Sequence, residues 1–150
     1  MQVLGQWKHL TQLTLFVDVF VQGSWMRSLS LTKLQVLVVR GTNVAKSVLK
    51  QLSAIEYPHV HTLEWNLGGM FGLLDKVPKL CKLVLYAQDM SELAALAQAA
   101  HKHLVAIHLT VQGATAAWKA AVDSVHTAYP MAHMHVQFPQ HRRLYRPIIN

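Results

Sequence analysis

The sequence predicts an α/β solenoid in which parallel strands alternate with mostly helical connections, and three observations carry that expectation. A phrase of three large apolar residues, at places one, four and six, occurs six times along the chain. Its copies start 24, 26, 20, 24 and 27 residues apart, a period that suits one strand, one turn and one helix per unit. Between the phrases the apolar residues switch to helical spacing.

The phrase reads Leu10, Leu13, Leu15, then Leu34, Leu37, Val39, then Val60, Leu63, Trp65. It returns as Leu80, Leu83, Leu85, as Leu104, Ile107, Leu109, and more loosely as Met131, Met134, Val136. Places four and six are two residues apart, so in a strand both side chains point to one face. Aliphatic and β-branched neighbours such as Val36, Val38 and Val39 favour extended backbone. The helical stripes are Val44, Val48, Leu52, Ile55, then Leu93, Leu96, Ala97, Ala100 with Ser91 as cap, then Trp118, Val122, Val125, Tyr129 stopped by Pro130. Residues 70–77 leave room for one or two turns or a 3₁₀ piece, and residues 22–30 for another short helix. No single unit can bury its own apolar face, whereas six stacked units can. A doubly wound sheet is the competing architecture.

The phrase resembles the leucine-rich-repeat family, especially the longer helical repeats of ribonuclease-inhibitor-like and F-box-associated proteins, over roughly Leu10 to Pro139. The resemblance implies a horseshoe with a concave parallel sheet and a mostly helical convex side. It divides the chain into a domain of about six repeats over residues 1–139 and a basic tail or cap over residues 140–150. Where that family carries Asn or Cys after the third apolar residue, this chain has Asp18, Thr42, Gly68, Gln88, Gln112 and Pro139. The polar ladder is degenerate.

Composition narrows the function classes. The chain has 150 residues, 52% hydrophobic and 14% charged, which suits one folded domain and excludes disorder. Fourteen Lys and Arg against seven Asp and Glu give a net charge of +7, which favours acidic surfaces, anionic lipid or nucleic acid. Cys81 is the single cysteine, so no intramolecular disulfide forms, and an intracellular, cytoplasmic or nuclear setting is expected. The first nine residues lack the order of a secretory signal, and no apolar run reaches the length of a membrane span.

The expected role is non-catalytic protein recognition or scaffolding through the repeat surface, with a substrate-adaptor fragment as one form. The alternative is a structural subunit of a large ribonucleoprotein or other assembly. Only nine residues precede Leu10, too few for an F-box helix, so an adaptor role requires a fragment. Places three, five and seven of each phrase face away from the helices, and among them Phe16, Arg40, Glu64, Tyr86, His108 and His135 are the expected partner contacts. Phe16 and Tyr86 have a second reading as covers for apolar edges. Arg142, Arg143 and Arg146 give the tail its charge, for sealing the last repeat or reaching an acidic partner. His108, His133 and His135 share a face, but nothing acidic lies near them in the pattern, and no metal or cofactor is expected. The lysines are spread along the chain without a stripe of the kind seen in nucleic-acid motifs. Phosphate-loop, HExxH and GxSxG patterns do not occur, so no enzyme is expected.

Overall fold

The computed structural model describes residues 7, 9–17, 31–41, 46–66, 72–99 and 101–139. Six strands form one sheet in the order β1 to β6: β1 Gln12–Val17, β2 Val36–Gly41, β3 Thr62–Trp65, β4 Lys82–Ala87, β5 Ala106–Val111 and β6 His133–Gln137. Every neighbouring pair is parallel. Three α-helices accompany them among the described residues, α1 Lys46–Ala54, α2 Met90–Ala99 and α3 Ala116–Ala128, with a 3₁₀ turn at Leu74–Lys76.

Register aligns the phrases. Leu13, Leu37, Leu63, Leu83, Ile107 and Met134 are Cα partners across the whole sheet, and Leu15, Val39, Trp65, Leu85, Leu109 and Val136 form the next row. The central members Leu37, Leu63, Leu83, Ile107, Val39, Trp65 and Leu85 are completely buried. At the two ends of the sheet Leu13, Leu15, Met134 and Val136 are only half-buried, because each end strand has a neighbour on one side alone. Alternation along each strand leaves one face covered and the other open, as a period of two requires.

The connections give the covered face its depth. In α2 Leu93 and Leu96 are buried, in α3 Val122 and Val125, and the two helices pack on each other. The start of α2 lies slightly earlier than Ser91: Asp89 Oδ1 accepts from the Ser91 N–H at 2.9 Å, and Glu92 Oε2 reaches back to the Gln88 and Asp89 N–H groups at 2.8 and 3.4 Å. This is a capping box, and it satisfies orphan donors that a lone serine could not reach. The Ser91 amide and hydroxyl hold the Asp89 carboxyl below its ordinary value. Glu92 is 1% exposed, tolerated there because its carboxylate meets backbone donors. Thr115 caps α3 by accepting from the Trp118 N–H. Gly113 lies under the Trp118 ring, where a Cβ would meet the indole at 2.5 Å. Two phenols tie loops to helices: Tyr57 donates to the Leu52 carbonyl at 2.9 Å, and Tyr129 donates to the Leu96 carbonyl at 2.7 Å while accepting from the His101 N–H. Burial pushes the Tyr57 phenol well above its ordinary value.

The leucine-rich-repeat horseshoe is corrected by these observations. The structure is a single six-stranded all-parallel sheet with three helices among the described residues, and the connections described there are of unlike length. Helices of 9, 10 and 13 residues follow β2, β4 and β5, while β3 is joined to β4 past a 3₁₀ turn of 3 residues. The physical reason is that the strand phrase recurs but the rest of the unit does not, and the polar ladder that would impose one turn on every unit is missing. Residues 22–30, Val44 and Ala100 lie outside the described residues.

Two substitutions test this packing. Leu83→Ala, in the middle of the buried row, is expected to lower unfolding free energy by about 2–5 kcal/mol in urea titration. Gly113→Ala is expected to cost about 1–3 kcal/mol and to shift the tryptophan emission, since the Trp118 ring must move. An unaltered emission and midpoint would contradict the close approach.

Candidate functional site

The open face of the sheet is built by the residues that alternate with the core. One row across it is Thr14, Val38, Glu64, Val84, His108 and His135, all Cα partners in succession. Beside it Phe16 pairs with Arg40, Tyr86 with Thr110, and Thr110 in turn with Gln137. Lys82 and His133 stand at the amino end of the same face, both exposed.

Six expected contact residues therefore share one face, in two groups. Phe16 is 73% exposed beside Arg40. Arg40 Nε donates to Glu64 Oε1 at 2.7 Å, which joins β2 to β3 and fixes the direction of the guanidinium. That hydrogen bond and the Glu64 charge raise the Arg40 basicity, and Tyr86 adds in the same sense. Next to the pair, Asn66 accepts from the Gly41 N–H through its side chain and from Gln88 Nε2 through its carbonyl, which locks the ends of β2 and β3. At the other side of the sheet the His108 and His135 rings stand 5.6 Å apart, tilted by 47°. Among the described residues no group of three or more His, Cys, Asp or Glu is placed to hold a metal ion. Cys81 is half-buried, and its thiol donates to the Lys79 carbonyl. Arg142, Arg143 and Arg146 lie outside the described residues.

A second surface was hidden in the sequence. A tight turn opens each strand, closed by Leu10 N–H to Trp7 O, Leu34 to Leu31, Val60 to Tyr57, Leu80 to Val77, Leu104 to His101 and Ala132 to Tyr129. Pro58, Pro78 and Pro130 occupy the second place of three turns, where a fixed φ suits the bend. The third place holds His9, Lys33, His59, Lys79 and His103, then Met131, and all six are exposed. The first five stand three residues ahead of Gln12, Val36, Thr62, Lys82 and Ala106, which are register partners, so the turns lie side by side. Thr11, Gln35, His61, Cys81 and Val105 carbonyls accept from the next strand's amides and hold this edge together. Scattered lysines in sequence become neighbours in space. The signal was legible as a Lys or His immediately before the first apolar residue of five phrases.

Two cavities lie on this edge. One of about 420 Å³ is lined by Thr11, Lys33, Gln35, His59 and His61. The other, of about 230 Å³, lies beside His101, Lys102, Tyr129, Pro130 and Met131. His101 is half-buried, and desolvation lowers its basicity against the opposing pull of the Leu74 carbonyl and Asp75. No helix among the described residues is long and apolar enough to cross a membrane.

Comparison with family models, with curated proteins and with solved structures finds no match. The resemblance to leucine-rich repeats is thus corrected: no family supports it, and the shared feature is a strand phrase in a sheet-cored α/β protein. The scaffolding, adaptor and ribonucleoprotein-subunit roles that rested on a repeat surface fall with it.

The sign of the His101 effect is testable. Its depressed folded basicity means that the unfolded chain takes up a proton first as pH falls, so stability is full above about 6.5 and is lost below it. Melting temperature measured from pH 8 to 5 is expected to fall, and His101→Gln to flatten that part of the curve. An identical slope in both proteins would rule out His101 as the source.

Proposed function

We propose that the protein binds an acidic partner protein, without covalent chemistry and without a cofactor, through the open face of its sheet in an intracellular setting. The observation that carries this reading is the combination of an exposed aromatic anchor and an oriented guanidinium on the face of the sheet turned away from the core. Phe16 supplies apolar area beside the oriented guanidinium of Arg40, and Tyr86 extends the same patch. Glu64 is the sole carboxylate among the described open-face positions, and it is engaged by Arg40. Lys82 stands on the same face diagonal to Glu64, and His108, His133 and His135 add imidazole groups toward β6. Aromatic and Arg groups are the side chains that commonly carry binding energy at such surfaces.

Crosslinked-peptide mapping of a complex captured from native extract is expected to place an acidic segment of the partner against Phe16, Arg40 and Tyr86. Phe16→Ala and Arg40→Ala are each expected to weaken the complex about tenfold or more, with circular dichroism unchanged. Full affinity in both variants, or crosslinks confined to α2 and α3, would reject the open-face reading.

A further inference from the structure

We infer that the row of turns at the amino-terminal edge of the sheet is a binding site for a chain of phosphates, separate from the open face. The row presents His9, Lys33, His59, Lys79 and His103 at equivalent turn corners, with Lys102 beside the last. Neighbouring strands are about 4.8 Å apart, so five corners cover roughly 19 Å in a line. No Asp or Glu occurs within residues 7–11, 31–35, 57–61, 77–82, 101–105 or 129–133. The nearest carboxylate in sequence, Glu56, is paired with Lys76 Nζ at 3.3 Å. Asp75 acts on His101 toward the far end of the row, so carboxylate is sparse along the edge rather than absent, and Lys33, Lys79 and Lys102 leave it a cationic excess.

The choice of phosphate over an acidic protein follows from what the row lacks. Protein interfaces draw on aromatic and aliphatic anchors at their centre. Between the basic corners stand Thr11, Gln35, His61 and Cys81, and the large apolar groups Val105 and Met131, 61% and 93% exposed, lie only toward the far end of the row. A ligand held by such a row must gain its affinity from evenly spaced negative charge. A phosphodiester or polyphosphate chain does so, and releases condensed counterions as it binds. The cavity of about 420 Å³ has the donors for one phosphate group: Lys33 and the His59 and His61 rings, with the Thr11 hydroxyl and Gln35 amide among its walls. Nucleic-acid strands and inorganic polyphosphate share this chemistry.

The test uses the full chain with two probes, a fluorescent thymidine 20-mer and inorganic polyphosphate of matched charge. Binding of either, weakening steeply with salt, is expected. The triple variant Lys33→Ala, Lys79→Ala, Lys102→Ala is expected to bind about tenfold or more weakly and to reduce the log–log salt slope by about 2. These side chains project from turns held by backbone hydrogen bonds, so circular dichroism should be unaltered. The matching triple change to Arg is expected to restore binding. Binding of the 20-mer identifies a nucleic-acid strand as the source, and binding of polyphosphate alone identifies the inorganic chain. Failure of both probes at low salt overturns the inference, as does full binding by the Ala triple. Equal displacement by poly-glutamate overturns the choice of phosphate. Phe16→Ala and Arg40→Ala are expected to leave phosphate-chain binding intact, so this site and the open face fail separately. A loss in those variants equal to that in the Ala triple overturns the placement.

Discussion

The buried row formed by Leu37, Leu63, Leu83 and Ile107 is the constraint on which the rest of the molecule depends. These four are Cα partners in adjacent strands and are wholly removed from water. Because side chains alternate with a period of two, a slip of one residue in any strand would turn its whole apolar set outward. Register is therefore fixed by burial, and burial in turn decides what the open face displays. Arg40 meets Glu64 and His108 meets His135 because their inward neighbours have no other place to go.

The same constraint explains the uneven economy of the connections. A parallel neighbour requires the chain to cross back over the sheet each time. The crossing can be made by α2, by the longer α3, or by a path whose described residues include the 3₁₀ turn Leu74–Lys76. Each has to cover the inward side chains and satisfy its own ends. Asp89 and Glu92 do this for α2 and Thr115 for α3, while Tyr57 and Tyr129 bond carbonyls at the ends of α1 and α2.

The strands were legible because their signal is redundant. Leu37 and Val39, or Ile107 and Leu109, combine alternation with β-branched or aliphatic neighbours, and both mark the covered face correctly. The stripe Trp118, Val122, Val125 and its stop at Pro130 likewise match α3. The horseshoe did not follow, since a common strand phrase says nothing about connections of unlike length. The partner-facing residues were placed on one face by alternation alone, but their grouping into Phe16 with Arg40 and His108 with His135 required register. The basic edge was missed for a different reason. Lys33, His59 and Lys79 follow one another at 26 and 20 residues along the chain, and only the parallel arrangement brings their turns together.

An all-parallel sheet collects every strand's amino end on one side, so whatever sits at that place in sequence is added up in space. Here the result is a run of lysine and histidine corners, present in the native state and dispersed once the chain unfolds. Mobile anions gather along that rim and screen its lysine charges. Any long polyanion that settles there takes over a task the solvent ions were already performing.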